Sequence, residues 1–287
     1  MSEGRSDGGL KSASPLVSVV IPTHNRQEML ERALNSVIAQ TYPALEILVV
    51  DDASGDGTAD LVGEVQSRSA GVRYIRKATP EGAPAARNAG IQAAEGELVT
   101  FLDDDDEYLP ERIEKLVRAY HPAFAFVCSD YFVAGARGRS HHRLPGVITL
   151  ADMYYRNRVG NTVLVATSLA RRVGGFDETL EARQDYDLWL RLLEAAPRPR
   201  AKVVPEPLHV IHKAHEQRIT SSSRVRRGQL RFLRKHKAKW SHCQRRFQSF
   251  GMRKRRGKRI SWMDRWCNWF IRKRLKLFPP RFWAHCP

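Results

Sequence analysis

Two short β-branched segments near the start of the chain constrain its fold more than any other feature. Residues 16–21 read LVSVVI and end at Pro22, and residues 45–51 read LEILVVD and end at a polar turn. Between them, apolar residues recur with helical spacing over residues 29–38. The pattern predicts a strand, a helix and a second strand.

The same alternation continues along the next fifty residues. Helices are predicted over residues 58–66 and 83–94, and strands over 72–75 and 98–102. Alternating strands and helices at this spacing predict an α/β fold, in which a mostly parallel, Rossmann-like sheet carries helices on both faces. Ligands of such sheets bind outside the carboxyl ends of the strands.

Polar and charged residues follow three of the predicted strands. They are Thr23, Asn25 and Arg26 after the first strand, Asp51 and Asp52 after the second, and Asp103, Asp104, Asp105 and Asp106 after the fourth. We expect these side chains to converge in one crevice. No strand is followed by GxGxxG, and GxxxxGK[ST] does not occur, so a dehydrogenase or a P-loop NTPase loses its main support.

The four consecutive aspartates place like charges within a few ångströms, which destabilises the fold unless a cation lies opposite. In an extended segment, Asp103 and Asp105 would point to the same face. Their oxygens suit a hard divalent cation, Mg²⁺ or Mn²⁺. The alternative is an acidic loop at the start of a helix near Pro110, but capping a helix needs only one aspartate.

Five ordered segments resemble family 2 glycosyltransferases. They read VSVVIPTHNR, EILVVDDAS, GAPAARNAG, GELVTFLDDDDEYLP, and GGFDE followed by QDYDLWLRL. The resemblance covers residues 15–220 and implies a fold of the GT-A type. It also implies inverting transfer of a hexosyl or deoxyhexosyl group from a nucleotide-diphosphate sugar to a glycan or glycolipid acceptor.

The resemblance assigns roles position by position. It implies contacts with the nucleotide sugar for Thr23, Asn25, Arg26, Asp52, Arg87, Asp103 and Asp104. It implies metal binding by Asp105 and by His215, which lies in a basic-x-His element with Lys213. It implies that Asp185 is the general base. Gln184 stands where the family commonly has an acid, and Asp187 is a competing candidate for the base.

The charge of the chain is divided unevenly. Residues 1–223 carry 26 Lys/Arg and 30 Asp/Glu, whereas residues 224–287 carry 22 Lys/Arg, one acid and five of the six tryptophans. The composition predicts a flexible N-terminus over residues 1–14 and a basic, Trp-rich helical tail over 224–287, and the resemblance implies that residues 15–223 form a glycosyltransferase domain.

The tail is interpreted as a membrane-surface segment. Over residues 258–278, aromatic residues fall on one helical face and Arg/Lys on another, a pattern typical of helices in the interface of an anionic leaflet. The alternative is a helical bundle packed on the domain. A nucleic-acid-binding protein is the competing function, but it leaves the acidic crevice unexplained.

No run of about 18 apolar residues occurs, and residues 1–15 lack the apolar core of a secretory signal. We therefore expect a cytoplasmic enzyme, peripheral on the inner face of the cell membrane. With the resemblance, this location predicts a role in assembling lipopolysaccharide core or another surface polysaccharide.

Overall fold

The structure is a computed structural model, and it describes residues 14–160, 162–213 and 223–255 together with Trp269. The described strands are β1 (Val17–Thr23), β2 (Leu45–Asp51), β3 (Val72–Arg76), β4 (Leu98–Phe101), β5 (Glu107–Tyr108), β6 (Val127–Gly135), β7 (Gly138–His142), β8 (Val147–Thr149), β9 (Leu164–Ala166) and β10 (Arg200–His212).

The described α-helices lie between and after these strands. They are α1 (Gln27–Ile38), α2 (Thr58–Arg68), α3 (Ala83–Ala93), α4 (Arg112–Ala119), α5 (Leu150–Tyr155), α6 (Thr167–Arg172), α7 (Gln184–Ala195), α8 (Ser223–His236) and α9 (His242–Arg255). The early elements lie where the sequence predicts them, to within two residues at each end.

One sheet runs through the body in the order β3-β2-β1-β4-β9-β6-β10-β5, with β7 beside β6 and β8 beside β10. The strands β3, β2, β1 and β4 are parallel, as the alternation predicts. Beyond β4 the sheet is mixed, because β9 runs antiparallel to both β4 and β6. β6 and β10 are again parallel to each other, so the expected mostly parallel sheet is confirmed, with the shorter strands β5, β7, β8 and β9 paired antiparallel.

Helices cover both faces of the sheet and enclose two apolar cores. Every residue of β1 is buried, and successive side chains of a strand point to opposite faces. Val17, Val19 and Ile21 pack in the core that contains α1, α2 and α4. Val20 packs in the other core, with α3, α5, α6 and α7. The carboxyl ends of β1, β2 and β4 consequently meet at one edge.

The composition changes near residue 224, but the packing does not end there. Phe232 of α8 and Trp240 are 0% and 3% exposed, and both belong to the core that contains Trp189 of α7. Gln248 of α9 donates hydrogen bonds to the carbonyl oxygens of Tyr154 and Tyr155 at 2.8 Å each. Residues 223–255 are thus packed on the body, and a separate functional role for 224–287 stays a prediction.

The predicted membrane-surface segment, residues 258–278, lies outside the described residues except for Trp269, whose side chain is exposed. Residues 1–13 of the predicted flexible N-terminus also lie outside them. In the part of the chain that is described, no helix is long and apolar enough to cross a bilayer.

Candidate active site

The aspartates after β4 form a turn and not an extended segment. β4 ends at Phe101, and the amide of Asp106 donates to the carbonyl oxygen of Asp103 at 3.0 Å. A turn places its first and fourth residues side by side. Carboxylate oxygens of Asp103, Asp105 and Asp106 accordingly lie within 4.8 Å of one another. The expectation of an extended segment is therefore wrong, although Asp103 and Asp105 still lie together, with Asp106 beside them.

Asp104 points away from this group, towards the end of β1. Its carboxylate accepts hydrogen bonds from Thr23 Oγ1 and from Arg26 Nη1, both at 3.0 Å. Burial raises the pKa of Asp104 to about 6, although Arg26 and Thr23 lower it and Asp105 adds to the rise. Asp104 thereby ties the β1 loop to the acidic turn.

A second tie joins the loops after β1 and β2. Asn25 has a left-handed φ of 53°, a conformation that asparagine tolerates better than most residues. In this conformation the backbone N–H of Asn25 donates to Ser54 Oγ at 2.9 Å, and the side-chain Oδ1 of Asn25 accepts from the backbone N–H of Gly55 at 2.7 Å. The side chain of Asn25 is thus held at the rim of the crevice.

The two aspartates that end β2 have different partners. Asp51 is fully buried and accepts from the amide of Ser54 and from the hydroxyl of Tyr74. Asp52 accepts from the amides of Glu81 and Gly82 at 2.9 and 2.6 Å. Asp52 therefore fixes the loop that leads into α3.

Arg87 connects α3 to the acidic turn. Its side chain is 8% exposed, and its Nη2 donates to Asp103 Oδ1 at 2.5 Å. The guanidinium also lies 5.3 Å from the centre of the Phe176 ring. Its other terminal nitrogen, Nη1, is buried without a hydrogen-bond partner among the described residues. A buried donor in this state costs about 1–3 kcal/mol unless a ligand accepts from it.

Asp185 lies in the first turn of α7 and completes this group electrostatically. Burial raises its pKa to about 6, since the charge of Arg87 only partly offsets the effects of burial and of Asp103. A carboxylate with a pKa near 6 is ionised at neutral pH and still basic enough to accept a proton. Asp185 on α7 is thus linked through charge to the ion pair between Arg87 and Asp103.

Asp187 has an entirely different environment, although it follows Asp185 by only two positions. It is 0% exposed and interacts with Arg191, His236 and Lys235 at 2.7–2.9 Å. Burial opposes its ionisation, but the hydrogen bond from His236 and the charges of Arg191 and Lys235 lower its pKa to about 2. Asp187 therefore contacts α8, and its carboxylate is not accessible from the crevice.

The two described histidines of β10 have different environments. His209 is buried and its Nδ1 lies 3.1 Å from Arg112 Nη1, and burial with this charge lowers its pKa well below the ordinary value. His212 Nε2 lies 2.7 Å from Glu107 Oε1. Lys213 is exposed at the end of β10. His215, predicted as a metal ligand, lies outside the described residues.

The residues of the acidic turn fit a divalent cation. Three carboxylates from one turn supply only hard oxygen ligands, which Mg²⁺ and Mn²⁺ prefer. Arg26 Nη1 lies 3.6 Å from Asp105 Oδ2 and Arg87 contacts Asp103, so the turn already draws cationic groups. The donor chemistry and the excess of negative charge both favour a bound cation.

Comparison with known proteins places this geometry in a family context. The sequence model of glycosyl transferase family 2 matches residues 18–173. WcaA of Escherichia coli K12, named for glycosyl transfer in colanic acid biosynthesis, is 33% identical over 258 residues, 87% of this chain and 91% of its own length. TuaG of Bacillus subtilis 168, named for teichuronic acid biosynthesis, is 28% identical and covers 63% of this chain and 73% of its own length.

Solved structures share the fold. Residues 1–349 of Staphylococcus aureus TarS with UDP-GlcNAc superpose with a TM-score of 0.62 and 18% identity, over 91% of this chain and 73% of that one. The mannosyltransferase PcManGT of Pyrobaculum calidifontis with GDP-Man and Mn²⁺ gives 0.58 and 19%, over 92% and 76%. The body has the GT-A type of fold that its motifs predict.

Proposed function

The chain belongs to glycosyl transferase family 2, and from this premise we propose that it transfers a sugar from a nucleoside-diphosphate sugar to a hydroxyl group of a cell-envelope glycan or lipid-linked acceptor, with inversion. The observation that carries the proposal is the meeting of Arg87, the acidic turn and Asp185 at one edge of the sheet. This edge offers a cation for a diphosphate, ligands for a metal ion, and a base.

The donor is proposed to lie across the ends of β1, β2 and β4. Thr23, Asn25, Arg26 and Asp52 would line its nucleoside, and Asp103 and Asp104 its ribose or sugar. Asp52 uses each carboxylate oxygen for one amide, and each oxygen has a second lone pair for a base N–H. The buried Nη1 of Arg87 would donate to a diphosphate oxygen, which gives this nitrogen the acceptor it lacks.

Asp103, Asp105 and Asp106 would hold Mg²⁺ or Mn²⁺ in this site. When bound there, a divalent cation stabilises the negative charge that develops on the leaving diphosphate. The PcManGT complex contains Mn²⁺, which supports a divalent ion for this fold. Whether His215 adds a ligand is part of the same proposal and rests on its sequence position alone.

Asp185 is proposed to take the proton of the acceptor hydroxyl. The hydroxyl oxygen forms a bond to the anomeric carbon, the bond from that carbon to the diphosphate breaks, and the diphosphate leaves with the electron pair. A single displacement of this kind inverts the anomeric centre and needs no covalent intermediate. General-base assistance of this type contributes about 10² to 10⁴ in rate.

Surface-polysaccharide assembly is the proposed context. The names of WcaA and TuaG refer to colanic acid and teichuronic acid biosynthesis, which supports a glycan acceptor of the envelope. The lipopolysaccharide core is a further acceptor of this class. The excess of 21 positive charges over residues 224–287 supports a peripheral position on the inner face of the membrane.

A donor screen tests the proposal. The purified protein is incubated with UDP-, dTDP- and GDP-sugars and Mn²⁺ or Mg²⁺, and release of the nucleoside diphosphate is measured with water or a glycan as acceptor. We expect one nucleotide class to be cleaved, and the freed sugar to show an inverted anomer by NMR.

Two variants make the screen specific. Asp185→Asn should lower turnover by about 10² or more while donor affinity persists. Asp60→Asn, an exposed acid on α2, is the matched control and should behave as the unmodified protein. Normal turnover by Asp185→Asn, or cleavage of no nucleotide sugar under any condition, would contradict the proposal.

A further inference from the structure

The first turn of α7 packs against the C-terminal helices α8 and α9. Asp185 faces Arg87 and the acidic turn electrostatically, whereas its neighbours Tyr186 and Asp187 are 4% and 0% exposed and contact α8 and α9. Arg183, the residue before the helix, has a left-handed φ of 64°. An arginine in this conformation is strained, so contacts outside α7 must hold it.

The shortest contacts between α8 and the first turn of α7 involve Asp187. Its Oδ1 lies 2.7 Å from His236 Nε2 and 2.9 Å from Lys235 Nζ. Lys235 Nζ also lies 2.5 Å from Asp177 Oδ2, in the loop before α7. Two adjacent residues of α8 therefore fasten both the first turn of α7 and the loop that leads into it.

Contacts with Tyr186 and Arg183 add to this fastening. The ring of Phe232 stacks on Tyr186, with centroids 4.7 Å apart, and the guanidinium of Arg183 lies 5.2 Å from the centre of the Phe232 ring. Gln248 of α9 donates to the hydroxyl of Tyr186 at 2.8 Å and accepts from Arg183 Nη1 at 3.3 Å. The residues on both sides of Asp185 are thus bound by α8 and α9.

Gly228 allows α8 to come this close. A Cβ at this position would lie 2.4 Å from the backbone nitrogen of Ala182, one residue before Arg183. No side chain fits at such a distance, so α8 packs directly on the backbone that begins α7. The contact is therefore built into the fold.

We propose that Lys235, His236 and Gln248 are positioning residues, which act through Asp187, Tyr186 and Arg183 to fix the carboxylate of Asp185 against the acceptor hydroxyl. The proposal rests on the proposed role of Asp185 and adds a catalytic task for the basic segment. A misplacement of about 1 Å at a reacting group can lower a rate by about 10², so the orientation of one helical turn matters.

The chain offers a matched pair of variants. Lys235→Met removes the ion pairs to Asp177 and Asp187, beside Asp185. Lys239→Met removes a similar pair between the same segment and α7, because Lys239 Nζ lies 2.5 Å from Glu194 Oε2. Glu194 is nine residues after Asp185, about 13 Å along the helix. Both lysines are partly exposed, so both variants are expected to fold.

Turnover and donor KM are measured for both variants with the nucleotide sugar that the screen identifies. We expect Lys235→Met to lower kcat about tenfold with an unchanged donor KM, and Lys235→Arg to restore it, while Lys239→Met stays within about twofold. The melting temperatures of both Met variants are measured as well, and the rates are compared at a temperature at which both variants are fully folded, which separates positioning from stability.

His236 provides an independent test. His236→Gln retains an N–H that reaches Asp187 and should keep most of kcat, whereas His236→Leu should lose it. An inactive Asp185→Asn beside fully active Lys235→Met and His236→Leu overturns the positioning role alone. A fully active Asp185→Asn overturns both the proposed function and the positioning role.

Discussion

Asp185 and Asp187 show how far surroundings decide the chemistry of a single residue. Both carboxylates lie in the first turn of α7, yet burial raises the pKa of Asp185 to about 6, while His236, Arg191 and Lys235 overcome burial and lower that of Asp187 to about 2. The first group is suited to take a proton within the physiological range, and the second stays ionised.

The raised pKa of Asp185 predicts an acid limb in the activity profile. A base must be ionised to act, so kcat at saturating donor should fall about tenfold per pH unit below about pH 6 and level off above it. Arg87→Gln removes the charge that lowers this pKa, so the limb should move to higher pH. Rates measured from pH 4.5 to 8 check this, and an unmoved limb would count against Asp185 as the base.

Asp187 predicts a change of stability with pH. Its pKa is lowered from 3.8 to about 2 in the folded protein, so its contribution is fully present above about pH 4 and is lost as the pH falls towards 2. The contribution is about 2 kcal/mol. Urea unfolding between pH 2 and 5 should show the loss in the unmodified protein, and a flatter dependence in Asp187→Asn.

The acidic turn predicts a requirement for metal. Asp105→Ala removes one of three clustered carboxylates and should abolish donor cleavage, and EDTA should do the same to the unmodified protein. Added Mn²⁺ should restore the EDTA-treated protein and not the variant. Full activity in EDTA would show that the turn works without a divalent ion.

Sequence reasoning found the acidic run from its position after a predicted strand, and it assigned Arg87 and Asp185 only from the resemblance to family 2 glycosyltransferases. It missed Asp106, since the grouping assumed an extended segment where the chain turns. It also missed His236, whose partner Asp187 lies 49 residues earlier. Contacts at such separation leave no periodic signal in either segment.

Among the elements, α8 agrees with the alternative given in the sequence analysis, in which helices of the tail pack on the domain. Despite its many positive charges, its Phe232 is fully buried against Tyr186 and Trp240. Phe232→Ala should lower the free energy of unfolding by about 3–5 kcal/mol. Leu233→Ala, which removes a partly buried neighbour, is the control and should cost less. Equal losses in chemical denaturation would contradict the packing.

Some strands can be predicted from their own sequence pattern and others cannot. β1 and β2 are buried, β-branched segments and were found from sequence. β7 is exposed throughout and reads GRSHH, which has no apolar alternation. β10 contains Pro205 and Pro207 and shifts register around the second, so its pairing with β6 is irregular. Elements with these features are formed by their neighbours more than by their own pattern.

At the scale of the whole molecule, charge and packing divide the chain at different points. Residues 224–255 carry 13 Lys/Arg and pack on the body, while residues 256–287 carry nine Lys/Arg and one acid and lie mainly outside the described residues. A test of membrane binding therefore should not remove α8 and α9. The informative truncation ends the chain at Arg255.

The chain ending at Arg255 should still cleave the donor but lose binding to anionic vesicles, because residues 256–287 contain four tryptophans and the proposed interfacial helix. Co-sedimentation with anionic and neutral vesicles measures this, beside a DNA and RNA shift assay. Salt should weaken vesicle binding of the intact chain without abolishing it. Tight binding to nucleic acid, with no preference for anionic vesicles, would contradict the membrane assignment.

The burial of Phe232 and Trp240 also sets the order in which a newly made chain can mature. The ribosome delivers the chain from its N-terminus at about 5–20 residues per second, so β10 emerges before α8. Until α8 follows, Tyr186 of α7 lacks the Phe232 ring that stacks on it, although Trp189 already packs against Phe101 and Phe126. A chain that ends before α8 therefore lacks the contacts that surround the proposed base, and it should bind the donor but transfer sugar more slowly than the intact chain.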